Sequence, residues 1–220
     1  MTVERALELG IGQHPHLHPD VVELEEVLPG PDGGGVSIGD LVRRSRRLNP
    51  SRVIVGEVMG PEVVEMLTAM SQGNDGSLST VHARSAEHVF DRLATYAAQH
   101  EGLDFSITHA LIGDSVDLVV FIRKNPDGQR MVVEVLEVAG SSDGRVSRSH
   151  IFREGPEGRA CREVVTPILR AELMAEHGYQ DSQWDPHGPR DARYPPGPSR
   201  HGPATAGPWQ PAPDYRQWPG

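Results

Sequence analysis

Residues 52–57 read Arg-Val-Ile-Val-Gly-Glu, and this stretch decides the fold prediction. A short β-branched run, with Pro50 before it and Gly56 after it, is typical of a strand buried on both faces of a parallel sheet. The run places Glu57 at the carboxyl end of that strand, where open α/β sheets bind their ligands. An acid there can orient an attacking water or act through the magnesium shell of a nucleotide, or it can open a solvated loop.

The elements around this strand alternate between strand and helix. Predicted strands cover residues 21–28, 52–56, 77–81, 116–122, 131–138 and 146–152, and predicted helices cover 38–48, 61–70, 85–102, 107–112 and 164–177. Ser37 is expected to cap the helix that begins at Ile38. Hairpins replace the alternation after residue 116, which predicts an α/β domain whose sheet ends in antiparallel edge strands.

A second polar cluster lies at residues 73–82, which read GNDGSLSTVH. Small hydroxyl residues lead to His82 at the tip of a predicted strand. A neutral histidine in this position can sense a phosphate or position a water, whereas a lone histidine at a strand end is more often structural.

Taken together, residues 41–58 (LVRRSRRLNPSRVIVGEV) and 67–83 (LTAMSQGNDGSLSTVHA) resemble the Walker B region and the His box of the type II/IV secretion ATPases. The resemblance extends over about residues 2–140 and is nearest to the CpaF (TadA) branch, which drives Tad/Flp pilus assembly. It implies the C-terminal half of a RecA-like P-loop NTPase. It also implies ATP as substrate with Mg²⁺, a hexameric homo-oligomer and partners in an inner-membrane secretion or pilus platform.

The resemblance also implies roles for individual residues. Glu57 would be the catalytic Walker B acid, His82 the His-box residue, and Glu4 the first acid of the upstream Asp box. The phosphate-gripping loop of the family precedes the Asp box, so it is expected to be absent from this chain. Arg5 stands where the family has a second acid, and Met59 stands where many relatives have arginine. Whether this chain itself turns over ATP is therefore left open.

Three further groups were weighed as binding sites. Arg43 and Arg47, at i,i+4 spacing on a basic helix, are candidates for phosphate or subunit contacts, or they form a solvated face. The loop at 30–37 resembles a phosphate-binding loop but has Val36 in place of the lysine, so a plain connection is expected. The alternating histidines at 14–18 lack a paired acid or cysteine, and no metal site is predicted.

Composition limits the protein class. The chain has 220 residues, a formal net charge of −10 and a single cysteine, Cys161. The acidic balance argues against a nucleic-acid partner, and one cysteine gives no disulfide framework. No apolar run reaches the roughly 20 residues that span a bilayer, and the N-terminus lacks a signal peptide pattern. A cytoplasmic protein, peripheral to the membrane through its partners, is expected.

The predicted organisation has three parts. Residues 1–152 form a partial RecA-like domain, 153–178 form a loop and a final helix, and 179–220 form a disordered tail rich in proline and glycine. Two functions fit this organisation. The first is a motor module that hydrolyses ATP. The second is a noncatalytic assembly fragment, or one half of a split motor that needs a complementary fragment.

Overall fold

The structure is a computed structural model that describes residues 1–155, 158–163 and 165–180. The strands are β1 Thr2–Glu4, β2 Glu23–Glu25, β3 Ile54–Val55, β4 Leu78–Ser79, β5 Leu118–Lys124, β6 Arg130–Ser142, β7 Arg145–Glu154 and β8 Ala160–Arg162. The α-helices are α1 Ile38–Ser45, α2 Glu62–Met70, α3 His88–Glu101, α4 Phe105–Ser115 and α5 Ala171–Glu176, and short 3₁₀ helices occupy Ile11–Gln13 and Arg46–Leu48.

The first sheet is parallel and has the order β2-β1-β3-β4. Val3 pairs with Val55, and Val55 pairs with Ser79, so the predicted Walker B strand lies inside the sheet. Val3 and Val55 are buried, as a strand covered on both faces requires. The sequence pattern did not predict β1, because a strand of three residues carries too little periodicity.

The second sheet is antiparallel and has the order β5-β6-β7-β8. The α/β class is confirmed, but the hairpins form a sheet of their own and do not extend the parallel one. The long strands β6 and β7 pair with each other, and neither pairs with a strand of the first sheet in the described residues. Helix α4 packs closely on β6, since a β-carbon on Gly113 would lie 2.6 Å from the carbonyl carbon of Gly140.

One hydrophobic core joins the helices and both sheets. It contains Leu67 of α2, Phe90 of α3, Ile112 of α4 and Leu136 of β6. Burying a side chain of this size contributes about 1.5–3 kcal/mol of stability. The two sheets are therefore held in one compact unit.

Helix α1 begins where the sequence predicted it, because the Ser37 hydroxyl accepts a hydrogen bond from the amide of Asp40.

The segment after β7 differs from the prediction of a loop and one long helix. Residues 160–162 pair with β7 as strand β8, and the helix covers only Ala171–Glu176. Pro167 disfavours a helical conformation at the residue before it. The amides of Leu169 and Arg170 donate to the buried carboxylate of Glu137, at 2.8 and 3.0 Å, and so are not available to an earlier helical turn.

The predicted disordered tail lies, beyond residue 180, outside the described residues. Within the described ranges, no helix combines the length and the apolar character that crossing a membrane requires.

Candidate functional site

Three predicted site residues lie at one edge of the parallel sheet. Glu4 ends β1, Glu57 follows β3 and His82 follows β4. The carboxyl ends of parallel strands meet at the same edge, so the topology places these side chains in one region of the surface. This edge is the candidate site.

Glu57 and His82 are in direct contact. The distance from His82 Nε2 to Glu57 Oε1 is 2.9 Å, and the side chains are 89% and 30% exposed, respectively. A histidine and a carboxylate at this distance share a hydrogen bond when Nε2 carries the proton. The two side chains therefore point toward each other at this edge of the sheet.

Two hydrogen bonds just beyond β3 and β4 set the spacing of this pair. The Thr80 hydroxyl donates to the carbonyl of Gly56 at 2.7 Å, and the Val58 amide donates to the carbonyl of Thr80 at 2.8 Å. On the other side, Arg92 Nε donates to the carbonyl of His82 at 3.2 Å. Thr80 and Arg92 were not predicted as site residues, although Thr80 belongs to the hydroxyl run that marked the segment.

Glu4 is buried beside β3. Its Oε2 accepts from the amides of Glu8 and Leu9, both at 2.9 Å, while its Oε1 is buried and has no hydrogen-bond partner in the described part of the chain. A β-carbon on Gly56 would lie 3.2 Å from Glu4 Cγ, so a residue without a side chain lets Glu4 pack here. A buried carboxylate oxygen without a partner is costly, and it suits a bound cation or water.

Arg5, the base where the family has an acid, is directed at two other acids. Its guanidinium lies 3.0 Å from Glu26 and 3.5 Å from the buried Glu62. Glu62 also accepts from the amide of Met59 at 2.6 Å. No ion pair between Arg5 and Glu57 occurs within the described residues, so the charge of Arg5 is balanced away from the Glu57–His82 pair.

The basic helix differs from the prediction at Arg47. Helix α1 ends at Ser45 and tightens into the 3₁₀ turn Arg46–Leu48, so the i,i+4 relation between Arg43 and Arg47 is lost. Arg46 joins Arg43 on Glu65, at 2.7 and 2.8 Å, and Arg43 also lies 3.3 Å from Asp40. Arg47 makes no ion pair with any described residue, which leaves its guanidinium available to other molecules.

The glycine-rich loop at 30–37 borders a cavity of about 420 Å³ whose lining includes Glu26 and Asp40. The hydrogen bond from the Ser37 hydroxyl lowers the pKa of Asp40, which keeps this carboxyl ionised. The negative charges of Glu26 and Asp40 at the rim would repel a phosphate chain. This lining supports the interpretation of the loop as a plain connection.

In the histidine run at 14–18, the rings of His14 and His16 make an edge-to-face contact, with their centroids 6.0 Å apart. In the part of the chain that the structure describes, no group of three or more His, Cys, Asp and Glu side chains is arranged to hold a metal ion.

Comparison with known proteins places these features in context. The sequence model of the family described as "Type II/IV secretion system protein" matches residues 1–168. A protein named for conjugal transfer in Mycobacterium tuberculosis is 35% identical over 174 residues, which are 79% of this chain and 47% of that protein. The type IV secretion system protein PtlH of Bordetella pertussis is 33% identical over 105 residues, or 46% of this chain and 31% of PtlH.

A solved structure resembles the fold as well. The VirB11 ATPase of the Brucella suis type IV secretion system, crystallised with sulphate, superposes with a TM-score of 0.51 at 30% sequence identity. The similarity covers 61% of this chain and 38% of that ATPase. The chain thus spans about half or less of the length of the relatives that it matches.

Proposed function

The chain belongs to the type II/IV secretion system protein family, and we propose that it is the part of an ATP-hydrolysing secretion motor that carries the catalytic carboxylate. The observation that carries the proposal is the 2.9 Å contact of His82 with Glu57 at the carboxyl edge of a parallel sheet. The predicted family is confirmed, while the CpaF/TadA branch and the Tad pilus remain predictions. The relatives support a type IV secretion or conjugal transfer machine.

We assign the activation of water to Glu57. Its carboxylate, on a side chain that is 30% exposed, is open to a nucleotide approaching from outside the sheet, and it can accept the proton of the attacking water or orient that water. His82 is a positioning residue in this proposal, because its Nε2–H holds one oxygen of Glu57. The hydrogen bonds of Thr80 and Val58 keep the two strands at the required distance.

The acids at this edge fit a divalent cation. Mg²⁺ prefers oxygen ligands, and the unpartnered buried Oε1 of Glu4 and the oxygens of Glu57 are ligands of that class. When bound with ATP, Mg²⁺ would neutralise charge on the phosphates. Glu4 would hold the ion and its water through the oxygen that accepts no amide.

A phosphate-binding loop is the part of the site that these 220 residues do not supply. No segment reads G-x-x-x-x-G-K-[ST], and the one lysine, Lys124, ends β5. Arg47, which is unpaired among the described residues, is the better candidate for a phosphate or subunit contact, because Arg43 is engaged by Asp40 and Glu65. The phosphate-binding loop would then come from a polypeptide segment outside these 220 residues, while a neighbouring copy in a homo-oligomer could contribute Arg47.

Membrane platform proteins are the proposed partners of the assembled motor. The names of the relatives as conjugal transfer and type IV secretion proteins support this assignment. We expect the protein to act in the cytoplasm, peripheral to the inner membrane through those partners.

A chimera tests the catalytic assignment. The matched segment of the Brucella suis VirB11 ATPase would be replaced by residues of this chain, and phosphate release measured. We expect Glu57→Gln to lower the rate by about 10²–10⁴-fold, the range for losing a general base. Glu101→Gln at the exposed end of α3 is the matched control within residues 1–168 and should leave the rate unchanged. A folded, active chimera in which both variants behave alike would refute the proposal.

The second candidate is a noncatalytic assembly fragment, and the missing lysine favours it. Titrating the 220-residue chain with a fluorescent ATP analogue separates the two. We expect binding weaker than that of the Brucella ATPase, since backbone amides and acids alone must hold a polyanion. An assembly fragment would show no binding, and its contacts with motor subunits would be indifferent to Glu57→Gln.

A further inference from the structure

A single carboxylate oxygen joins the turn after Glu57 to the end of β1. Oε1 of Glu62, the first residue of α2, accepts from the amide of Met59 at 2.6 Å. The same oxygen lies 3.5 Å from the guanidinium of Arg5, which is 57 residues away in the chain. The carboxylate therefore connects two parts of the candidate site, the end of β1 with Glu4 and the turn with Glu57.

The carboxylate of Glu62 is almost completely buried, since the side chain is 2% exposed. A buried charge is costly unless an opposite charge and hydrogen bonds compensate it. Among the described residues, the one cation that forms an ion pair with Glu62 is Arg5, which also lies 3.0 Å from Glu26. Arg5 thus supplies the counter-charge that lets a buried carboxylate accept the Met59 amide, and hydrogen bonds to a charged acceptor are the stronger kind.

The Met59 hydrogen bond is one of two anchors of the turn that carries Glu57. The Val58 amide donates to the carbonyl of Thr80, just beyond β4, and the next amide donates to Glu62. Two consecutive amides are therefore fixed, one to the parallel sheet and one to α2. Because Glu57 directly precedes them, the direction of its side chain depends on both anchors.

The two positions at which this chain departs from the family pattern near the Walker B acid meet at this carboxylate. Arg5 stands where the family has a second acid, and Met59 stands where many relatives have arginine. Residues 57–60 contain no lysine or arginine, so the positive charge reaches Glu62 from the end of β1. The base in one position therefore accompanies the uncharged side chain in the other.

We propose that Arg5 is a positioning residue of the candidate site, which acts through Glu62 on the turn that presents Glu57. The inference rests on the proposed function, in which Glu57 activates water. Arg5 has no contact with the reacting atoms in this role. It supplies the charge that holds the Met59 amide, and so it keeps the carboxylate of Glu57 beside His82.

Amide hydrogen exchange in the full 220-residue chain tests the anchor. Arg5→Met keeps a flexible aliphatic side chain and removes the charge, and exchange at the Met59 amide should become at least about tenfold faster. Arg5→Lys keeps the charge and should stay within about threefold of the original rate. The Val138 amide, which donates to Asp117, should exchange at its original rate in both variants. Equal rates at Met59 in the two variants, or equal acceleration at Val138, would overturn the proposal.

Arg123→Met is the matched control. Arg123 forms an ion pair with Glu154 in the antiparallel sheet, and its side chain is 44% exposed, against 43% for Arg5. Its loss removes a similarly exposed cation, far from Glu62 in the sheet order, and should leave exchange at the Met59 amide unchanged. Acceleration equal to that in Arg5→Met would show that the effect is not specific and would refute the positioning role.

A double-mutant cycle tests whether Arg5 acts through Glu62. Glu62→Gln keeps the shape of the side chain and an oxygen for the Met59 amide but removes the charge, so exchange at this amide should also become faster. With Glu62→Gln in place, Arg5→Met should cause no further acceleration, because the two residues act through one contact. Additive effects would contradict the proposal.

The imidazole of His82 reports whether the turn positions Glu57. The nitrogen NMR signals of this ring depend on its contact with Glu57, and Glu57→Ala gives the reference for a lost contact. Arg5→Met should move these signals toward the reference. Adding Met59→Arg should move them back, since it returns a guanidinium to Glu62 from within the turn. Signals that do not move in the first variant, or do not return in the second, would overturn the proposal.

The positioning role and the catalytic assignment fail in different experiments, because the exchange and NMR measurements need no ATP. The catalytic assignment is lost if Glu57→Gln leaves phosphate release by the chimera unchanged. The positioning role is lost if the Met59 amide and the His82 ring do not respond to the charge of Arg5.

Discussion

The two sheets solve the problem of buried polar groups differently. The three buried side-chain atoms that lack a partner among the described residues, Thr2 Oγ1, Glu4 Oε1 and Ser79 Oγ, all belong to the parallel sheet. In the antiparallel sheet, by contrast, the buried carboxylate of Glu137 accepts from two amides and from the guanidinium of Arg170. Among the described residues, buried side-chain atoms without a hydrogen-bond partner therefore occur in the parallel sheet, whereas the buried carboxylate of the antiparallel sheet has its partners.

The difference follows from what surrounds each of these side chains. The carboxylate of Glu137 is reached by two amides and a guanidinium from residues 169–170, whereas no described residue hydrogen-bonds the three atoms of the parallel sheet. Unsatisfied polar groups are tolerated where a ligand or partner completes them. In the proposed function the parallel sheet is the region that binds, and the antiparallel sheet is the region that stabilises the unit. Most of the predictions below compare a substitution in one of the two regions with a matched control substitution.

The largest effect is expected from Glu137→Ala. Removing the buried carboxylate leaves the amides of Leu169 and Arg170 without their acceptor, while the Arg170 guanidinium keeps Asp117 and the carbonyl of Val138. The free energy of unfolding should fall by about 2–5 kcal/mol, since each buried donor left unsatisfied costs about 1–3 kcal/mol. Glu134→Ala on the same strand, whose carboxylate is 24% exposed, lies 3.8 Å from His150 and accepts from no amide in the described residues, should cost less. Urea unfolding measures both, and equal costs would show that the antiparallel sheet does not depend on this cluster.

A smaller loss is expected from Gly113→Ala at the contact of α4 with β6. The added β-carbon would lie 2.6 Å from the backbone of Gly140, and overpacking of this kind costs about 1–3 kcal/mol. Gly39→Ala in α1 meets only ordinary contacts, the nearest at 3.8 Å, and should be neutral or stabilise by up to about 1 kcal/mol. Thermal unfolding that shifts equally for both variants would contradict the close packing of the second sheet.

Two serines sharpen the contrast in polar satisfaction. Ser45→Ala removes a buried hydroxyl that donates to the carbonyl of Val42 at 2.8 Å, and it should cost about 0.5–1.5 kcal/mol. Ser79→Ala removes a hydroxyl that has no partner among the described residues, and it should be neutral or slightly stabilising in the chain alone. A loss for Ser79→Ala as large as that for Ser45→Ala would mean that the Ser79 hydroxyl is satisfied in solution.

The smallest effect is a pH dependence from His109, which joins α4 to β7. Burial lowers the pKa of His109, although the Asp91 carboxylate 3.6 Å away raises it. The unfolded chain therefore binds the proton first, and stability should fall as the pH drops below about 6.5, until the lowered folded pKa is reached. His109→Asn, which keeps an acceptor for the Val146 amide, should flatten this slope in urea titrations at several pH values. An unchanged slope would assign the pH dependence to other groups.

Local chemistry predicted much of this molecule. The β-branched run before Glu57, the Ser37 cap and the hydroxyl run leading to His82 each appear where the sequence indicated, because each depends on neighbours within a few residues. The predicted bounds of the basic helix and of the final helix were less accurate. Helix α1 gives way to a 3₁₀ turn at Arg46, and Glu137, more than 30 residues away, accepts from two amides of the predicted final helix.

The sequence by itself determined the family and the α/β class, and it predicted Glu57 and His82 as the acid and the histidine of the candidate site. The tertiary structure alone decided that Glu57 Oε1 and His82 Nε2 lie 2.9 Å apart, that the hairpins form a separate sheet, and that a cleft remains between β4 and β5. The reason is that a strand's pattern specifies which side chains are buried, whereas the edge it pairs with depends on residues distant in the chain.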